Sequence, residues 1–444
     1  MAKGKEDTYF GLSTPLGRSA TATIRISGKK VKQTLNKLTS GKLKKPKHRK
    51  SVVLDIFCKN NNLIDNVVMS FFEGPNSYTG EDLAEVHTHG NPIIVDSVYN
   101  TLLDFGLRIA EPGEFTRAAY LNNKIDLIQA ESVLSVINAN SKEGVNLSLN
   151  NISGSLSTKT SQMKADLINA LGFVEYELDI SETDTQNETI NRTHSSIKTL
   201  LLDTEKLIST SKYARIKTVG ARVVIYGKPN VGKSTLFNSL LNYERSIVTN
   251  IAGTTRDTIE ETSTIGNHSV VFVDTAGIRE TEDPIEKLGV SRTQEKIKEA
   301  DLSIQIITKT HKTYKTETKN NLVVLNKTDL LNNNELNKLK KNKNIICVSA
   351  KNKTGLSNLL KKINQKLNQE NQNKNENQIT SIRQEHSLKK IQKELKEVLK
   401  NKEKNLEIIA HRLGAAIKEF DSLLGKTSPD DILESVFSNF CVGK

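Results

Sequence analysis

A glycine-rich stretch from Gly227 to Thr235, with the sequence GKPNVGKST, constrains the fold of this chain more than any other feature. It fits the phosphate-loop pattern GxxxxGKS/T, with an apolar run before it and helical apolar spacing after it. Strand, loop and helix in this order let backbone N–H groups surround phosphate oxygens. Lys233 would contact the outer phosphates and Ser234 would bind Mg²⁺. The predicted phosphate contacts are Asn230, Val231, Gly232, Lys233, Ser234 and Thr235.

Two downstream motifs, each directly after an apolar run, indicate that the base is guanine. A buried Asp329, in the sequence NKTD, would accept from the ring N–H and the exocyclic amine of guanine, and adenine lacks that donor pair. The alkyl stem of Lys327 would cover the base, and the backbone of the sequence SAK would donate to the keto oxygen. The predicted base contacts are Asn326, Lys327, Asp329, Ser349, Ala350 and Lys351.

A third motif, DTAG, predicts the environment of the terminal phosphate. Asp274 would reach Mg²⁺ through water, and the N–H of Gly277 would sense the phosphate. Ile278 follows, and its side chain has no group to orient an attacking water as a Gln does there in other GTPases. The water-holding group stays open among acidic residues. This part of the site comprises Asp274, Thr275, Ala276 and Gly277, with Glu280, Glu282, Asp283 and Glu286 as the acidic candidates.

The loop from Thr249 to Asp257 offers carbonyls and hydroxyls for cations. Thr255 is the candidate second Mg²⁺ ligand. Arg256 and Arg279 are candidates for stabilising transition-state charge, and a monovalent cation held partly by Asn230 is an alternative. Asn230 is equally compatible with an ordinary turn after a proline. The loop residues assigned to the nucleotide site are Thr249, Asn250, Ile251, Ala252, Gly253, Thr254 and Thr255.

Composition permits an RNA partner without establishing one. The chain has 444 residues, a formal net charge of +13 and a pI near 9.3. Lysines occur throughout, so the run Lys42–Lys50 is interpreted as a solvated face. The cysteines Cys58, Cys347 and Cys441 lie far apart, which favours a reducing compartment. We find no apolar signal region and no membrane-spanning run, and we expect a cytoplasmic protein.

The length predicts several domains, with boundaries at 1–122, 123–218, 219–370 and 371–444. The first segment has an α/β pattern, the second and fourth have helical patterns, and the third contains the GTPase motifs. The predicted strands of the first segment are Ala20–Ser27, Ser51–Phe57, Asn66–Phe72 and Leu83–His87, followed by a helix at Pro92–Phe105. The predicted buried face of the next helix comprises Leu127, Ala130, Val133, Leu134 and Ile137.

Motifs outside the GTPase segment carry a resemblance that covers the whole chain. They are Ile24–Gly28, Gly74–Asp82, His89-Gly90, Arg108–Thr116, Leu121–Glu131 and Phe440–Lys444. Together with the nucleotide motifs they resemble the MnmE family, also called TrmE, of tRNA modification GTPases. Val442 replaces the usual Ile of the terminal Cys-Ile-Gly-Lys, and Leu178–Glu182 departs from the usual Phe-Pro stretch.

The resemblance implies an α/β and α fold. An N-terminal α/β domain would bind tetrahydrofolate and dimerise, and a helical domain would be interrupted by an inserted Ras-like GTPase domain. It implies a homodimer with potassium-dependent GTP hydrolysis and a heterotetrameric complex with the flavoprotein MnmG. That complex would add an aminomethyl or carboxymethylaminomethyl group at the 5-position of the wobble uridine of certain tRNAs. The one-carbon donor would be a 5,10-methylene or 5-formyl tetrahydrofolate.

The same resemblance implies roles for individual residues. Ser234 and Thr255 would bind Mg²⁺, and Glu286 would orient the attacking water. The implied K⁺ ligands are Asn230, Thr249, Ile251 and Thr254. The implied folate contacts are Arg25, Glu85, Lys124 and Lys444.

Three alternatives remain open from the sequence. The chain could be a regulatory RNA-binding GTPase of the ribosome-assembly type, with the other domains as docking surfaces. Glu85, His87 and His89 share one face of a predicted strand and could form a metal site. Cys441 could be a thiol near the modification chemistry or a small residue that packs the last helix.

Overall fold

The structure is a computed structural model. It describes residues 7–179, 186–218, 220–243, 260–266, 268–274, 297, 300–309, 320–332, 335–336, 339, 345–368, 378–400, 405–427 and 430–444. The chain divides into two compact units. Unit 1 comprises Met1–Leu134, Ile152–Leu201 and Ser387–Lys444, and unit 2 comprises Ser135–Asn151 and Leu202–His386.

The N-terminal part of unit 1 is an α/β layer with one six-stranded sheet, in the order β3-β4-β5-β2-β1-β6. All neighbours are antiparallel except β1 and β6. Along β4, residues alternate between buried and more exposed positions, as expected for a sheet with one face on the core. The elements are β1 Tyr9–Leu12, β2 Ser19–Ser27, α1 Val31–Leu38, β3 Lys50–Phe57, β4 Leu63–Phe72, β5 Leu83–Gly90, α2 Pro92–Asp104, β6 Arg108–Ile109 and α3 Glu114–Leu121.

The predicted strands and helix of this region are confirmed within three residues at each end. The helix α2 begins where the Asn91 side chain accepts from the N–H of Ile93, with Pro92 in its first turn. Sequence reasoning missed β1, α1, β6 and α3. Both missed strands are short, at four and two residues, and a pattern of period two needs a longer run to be recognised.

The chain then continues through long helices, as the sequence predicted. In unit 1, the helix Ser155–Asp179 (α6) packs against the helix Leu406–Leu424 (α11). Lys164 and Asp421 form an ion pair between them. The helices are α4 Leu127–Asn138, α5 Lys142–Ile152, α6 Ser155–Asp179, α7 Gln186–Thr218, α10 Ile382–Lys400, α11 Leu406–Leu424 and α12 Asp430–Phe437. No helix in the described ranges is both long and apolar enough to cross a membrane.

The predicted buried face of α4 is correct except at its end. Leu127 and Ala130 are fully buried against α12 residues, and Val133 and Leu134 pack partly against the same cluster. Ile137 was predicted to share this face but is 44% exposed. It lies in the last turn of α4, beyond the residues that contribute to the cluster, so helical periodicity overestimated the length of the face.

Unit 2 contains a six-stranded sheet in the order β12-β11-β10-β7-β9-β8. Five strands are parallel, and β8 is antiparallel to β9. All residues of β11 are buried, as expected where helices cover both faces of a parallel sheet. The elements are β7 Ala221–Gly227, α8 Lys233–Tyr243, β8 Glu260–Ile265, β9 His268–Asp274, β10 Leu302–Ile307, β11 Asn321–Leu325, β12 Ile345–Cys347 and α9 Leu356–Asn368.

The buried carboxylate of Asp301 fixes the start of this sheet. It accepts from the backbone N–H of Arg222 at 2.9 Å and forms an ion pair with Arg215 near the end of α7. The Asp301 side chain is 1% exposed, so these donors offset the cost of burying its charge. This arrangement positions β7, and therefore the phosphate loop at its far end.

Candidate functional site

The nucleotide motifs meet at the carboxyl edge of the parallel sheet in unit 2. The strands β7, β9, β11 and β12 run in one direction, and each motif begins at or just after the end of its strand. Ligands of open α/β sheets bind at this edge. The strand, loop and helix that the sequence predicted around Gly227–Thr235 are therefore confirmed.

The phosphate loop approaches its neighbours so closely that a side chain at Gly232 has no space. Gly232 has a φ of 93°, and a Cβ added there would lie 2.4 Å from Nδ2 of Asn326. Asn230 also lies in the left-handed region, at a φ of 60°. Lys233 donates from Nζ to the carbonyls of Gly227 at 3.0 Å and Lys228 at 3.1 Å. Its ammonium group therefore lies over the loop, where a phosphate would compete for its donors.

Asn326 joins the phosphate loop to the base-recognition loops. Its Nδ2 donates to the carbonyl of Val231 at 2.9 Å, and its Oδ1 accepts from the N–H of Ala350 at 3.1 Å. Asn326 is 3% exposed, so both bonds form in a dry environment where an unpaired amide would be costly. Ser239 of α8 adds a second link by donating to the carbonyl of Ala350 at 3.0 Å. The sequence motif did not reveal either link.

Asp329 is held in place by Ser349, whose hydroxyl donates to its Oδ1 at 2.5 Å. That hydrogen bond is the main reason why the pKa of Asp329 lies below its ordinary value. The sequence argument assumed a buried carboxylate, but Asp329 is exposed. Discrimination would therefore arise when the base itself covers the carboxylate. Lys327 has a φ of 61° and donates from Nζ to the carbonyl of Asn230 at 2.7 Å, so its stem lies between the two loops.

Several predicted residues lie outside the described residues, or are described only in their backbone. Asp274 ends β9 and pairs with Ile225 of β7, which places its backbone at the nucleotide edge of the sheet. Its side chain is not among the described groups. The predictions outside the described residues are Thr249, Asn250, Ile251, Ala252, Gly253, Thr254, Thr255, Arg256, Thr275, Ala276, Gly277, Ile278, Arg279, Glu280, Glu282, Asp283 and Glu286.

A second cluster of predicted residues forms in unit 1. Arg25 on β2 lies opposite Glu85 on β5, and its Nε donates to Oε1 of Glu85 at 2.9 Å. The guanidinium also lies 5.9 Å from the centre of the Tyr78 ring and donates weakly to the carbonyl of Gly443 at 3.4 Å. Lys444 follows, and its pKa is lowered by burial and by the positive charge of Arg25. Arg25 therefore interacts with both Glu85 and Lys444, so two cationic side chains accompany one carboxylate in this cluster.

The last residues of the chain reach this cluster because Gly443 fits against β1. Gly443 has a φ of 94°, and a Cβ there would lie 2.2 Å from the carbonyl oxygen of Leu12. Ser13 donates from its hydroxyl to the carbonyl of Gly443 at 3.1 Å. Phe440 is buried beside Phe437 at the end of α12 and anchors the turn. Sequence reasoning had identified the terminal motif but not its partners on β1.

Lys124 contacts the loop Gly74–Asp82 rather than the other predicted folate residues. Its Nζ donates to the carbonyl of Pro75 at 3.0 Å. The same loop carries Tyr78, whose hydroxyl lies 3.0 Å from Oγ1 of Thr116. Burial raises the pKa of Tyr78. Lys124 and Arg25 therefore both contact the loop Gly74–Asp82.

The alternative metal site does not form. Glu85 is paired with Arg25, His87 lies 3.0 Å from Oγ1 of Thr23, and His89 is bound to Asp65 at 2.8 Å. His87 also lies 3.9 Å from Glu85, but His89 is bound to Asp65, so the three side chains do not converge on one point. Throughout the part of the chain that the structure describes, no group of His, Cys, Asp or Glu could hold a metal ion.

One alternative from the sequence was that Cys441 packs the last helix. The structure contradicts this alternative. The side chain of Cys441 is exposed. Its carbonyl accepts from the N–H of Gly113 at 3.4 Å and of Lys444 at 3.3 Å. The backbone of Cys441 therefore shapes the terminal turn.

Comparison with known proteins gives matches over nearly the whole chain. A family model described as the GTP-binding protein TrmE N-terminus matches residues 8–124, and one described as the MnmE helical domain matches residues 127–441. The tRNA modification GTPase MnmE of Aquifex aeolicus is 37% identical over 450 residues, covering 99% of this chain and 100% of its own length. The MnmE proteins of Pseudothermotoga lettingae and Flavobacterium johnsoniae are each 36% identical and cover 99% of this chain, and 100% and 99% of their own lengths.

The substitution Asp329→Asn tests the base-recognition geometry. The amide presents a donor where guanine also presents one, so affinity for GDP should fall by about 100-fold or more. Xanthine carries a carbonyl in place of the exocyclic amine, so affinity for xanthosine diphosphate should rise. Fluorescence titration with labelled nucleotides measures both. Unchanged preference for GDP would show that Asp329 does not contact the base.

Proposed function

The chain belongs to the MnmE family of tRNA modification GTPases, and we propose that it hydrolyses GTP during the modification of tRNA. The observation that carries the proposal is the junction at Asn326, which joins the phosphate loop to the guanine-recognition loops. Full-length similarity to MnmE proteins supports the tRNA part of the proposal.

In this proposal the nucleotide lies along the carboxyl edge of the unit 2 sheet. Asp329 accepts from guanine, and the N–H groups of the phosphate loop and the ammonium of Lys233 bind phosphate oxygens. Ser234 lies in the first turn of α8, and the N-terminus of that helix favours negative charge. Its hydroxyl would hold Mg²⁺ together with Thr255, and Mg²⁺ supplies charge that stabilises the phosphate oxygens.

We extend the proposal to a potassium site beside the phosphate loop. Asn230 carries a side-chain oxygen on a left-handed loop position, and Lys327 fixes the Asn230 backbone. The proposed ligands are Asn230, Thr249, Ile251 and Thr254. A bound K⁺ would supply the positive charge that an arginine supplies in other GTPases. Glu286 would orient the attacking water.

The second proposed site binds a tetrahydrofolate derivative, as 5,10-methylene or 5-formyl tetrahydrofolate. Its residues fit such a ligand because the cluster combines a carboxylate with an excess of positive charge. Glu85 can accept from pterin donors, and Arg25 and Lys444 can bind the glutamate tail. The lowered pKa of Lys444 follows from burial beside another cation, a cost that an anionic ligand would relieve. The folate would supply a one-carbon unit, and Lys124 contacts the loop that carries Tyr78.

The proposed assembly is a homodimer that joins MnmG in a heterotetramer and acts in the cytoplasm. Its product is a tRNA with an aminomethyl or carboxymethylaminomethyl group at the 5-position of the wobble uridine. The proposed domains are an N-terminal folate-binding and dimerisation domain at 1–122, a GTPase domain at 219–370, and a helical domain at 123–218 and 371–444. The role of Cys441 in this chemistry stays open.

The substitution Asn230→Ala tests the potassium site. It removes one proposed ligand without touching Lys233, so hydrolysis in K⁺ should fall by about tenfold or more while GDP affinity stays near that of the parent. Steady-state rates in K⁺ and in Na⁺ at equal ionic strength measure the effect. Equal potassium stimulation in variant and parent would remove Asn230 from the site.

Reconstitution tests the overall function. The purified chain is incubated with MnmG, GTP, a tetrahydrofolate donor and unmodified tRNA, and the nucleosides are analysed by mass spectrometry. The proposal predicts a wobble uridine modified at its 5-position, and no modification when GTP is replaced by a non-hydrolysable analogue. GTP hydrolysis without any tRNA modification would instead favour a regulatory RNA-binding GTPase.

A further inference from the structure

We propose that a pocket in the N-terminal sheet of unit 1 binds one nucleotide of single-stranded RNA, with its base in the cavity and its phosphates on surrounding lysines. The inference rests on the proposed function, which makes RNA the substrate. The pocket has a volume of about 170 Å³ and lies between α1, the β3–β4 hairpin and the run Lys42–Lys50. We call it the lysine pocket. From the sequence, this run was interpreted as a solvated face.

The lysine pocket has a rigid apolar floor. Leu35, Met69 and Phe71 form this floor and are 0%, 1% and 2% exposed. Leu43 and Val52 line its sides and are half-buried. Well-packed floor residues leave the cavity preformed, so a ring entering it would gain apolar contacts at a low ordering cost.

The rim of the lysine pocket is positively charged and not neutralised. Lys45, Lys47 and Lys50 line it and are exposed, and among the residues that the structure describes their side chains have no ion-pair partner. The sequence from Thr39 to Leu54 contains no acidic residue. A polyanion would therefore meet several cations beside one apolar cavity.

The backbone of the basic run is held against the sheet. The N–H of Arg49 donates to the carbonyl of Phe71 at 2.7 Å, and the N–H of Lys50 donates to the carbonyl of Lys47 at 3.2 Å. At the other end, the N–H of Leu43 donates to Oγ1 of Thr39 at 3.0 Å. The rim lysines are therefore presented from an ordered loop.

Size and charge together favour a nucleotide of a single strand. Sites that enclose a whole small molecule are typically about 300–1,000 Å³, so this cavity suits a single ring system. Unpaired RNA bases can turn out of a strand into such cavities, while the flanking phosphates remain outside. Glu85 pairs with Ser70 of β4, and the floor residues Met69 and Phe71 on either side of Ser70 point to the opposite face of the sheet. The cavity floor and the proposed folate cluster therefore lie on different faces.

Two variants separate the contribution of the rim from that of the cavity. The triple change Lys45→Gln, Lys47→Gln and Lys50→Gln should weaken RNA binding. It should also make the plot of the logarithm of the association constant against the logarithm of the salt concentration less steep, by up to about 2. Val52→Phe fills the cavity without a change in charge, so it should weaken binding about tenfold and leave the slope unchanged. Fluorescence anisotropy of the full-length protein with a labelled single-stranded RNA measures both effects.

Matched controls make the result specific. The triple change Lys30→Gln, Lys59→Gln and Lys198→Gln removes the same charge from exposed lysines of unit 1 and should alter binding far less. An abasic strand should bind more weakly than RNA to the parent and equally well to the parent and Val52→Phe. GTP hydrolysis and the thermal unfolding transition should both be unchanged in every variant, which confirms that unit 2 and the altered unit 1 are folded.

The inference is overturned if both lysine triples weaken RNA binding equally, or if Val52→Phe binds RNA as the parent does. It is also overturned if the rim triple loses binding to anionic lipid vesicles but retains RNA binding. These outcomes do not depend on the proposed function, because modification of tRNA by the parent protein is measured separately. A parent that modifies tRNA, with variants that bind RNA normally, would refute the lysine pocket alone.

Discussion

The close approach of Gly443 to Leu12 positions the last residues of the chain against the N-terminal sheet of unit 1. Residues 430 positions apart in the chain meet there, as the bond from Ser13 to Gly443 shows, and only a glycine at a φ of 94° leaves room for it. The contact brings Lys444 close to Arg25, which forms an ion pair with Glu85. Unit 2 is formed by the two segments Ser135–Asn151 and Leu202–His386, and each of them is preceded and followed in the chain by a segment of unit 1.

In unit 2, a parallel sheet brings together residues that are far apart in the sequence. Four motifs that are far apart in sequence follow strands whose carboxyl ends share one edge, and Asn326 then ties two of their loops together. The side chain of Asn326 therefore anchors both the phosphate loop and the base-recognition loop. The same residue is too close to Gly232 for any side chain there. Tight loop packing thus gives the nucleotide edge its geometry.

Much of this could be predicted from the sequence because the motifs and long strands have strong local signals. The phosphate loop, β2 to β5 and α2 appear as predicted, and resemblance identified Arg25, Glu85 and Lys444, which the structure brings together. The rest depends on contacts that no local pattern encodes. Three such contacts join residues far apart in the sequence: Arg25 lies over the ring of Tyr78, Ser349 donates to Asp329, and Gly443 packs against β1. Asp329 and Ile137 were predicted to be buried but are exposed, because burial also depends on tertiary contacts.

We proposed that the terminal turn and the N-terminal sheet form one folate site, and the one-carbon chemistry proposed for unit 1 depends on that site. Isothermal titration of 5-formyltetrahydrofolate into the parent, Gly443→Ala and Gly414→Ala tests it most directly. Gly414 lies within α11 with no atom close to an added Cβ, so its substitution is the matched control. The account predicts saturable binding by the parent and Gly414→Ala, and affinity about tenfold or more weaker for Gly443→Ala, since strain of about 1–3 kcal/mol displaces the turn. Equal affinities in all three proteins, or no binding by the parent, would contradict the claim.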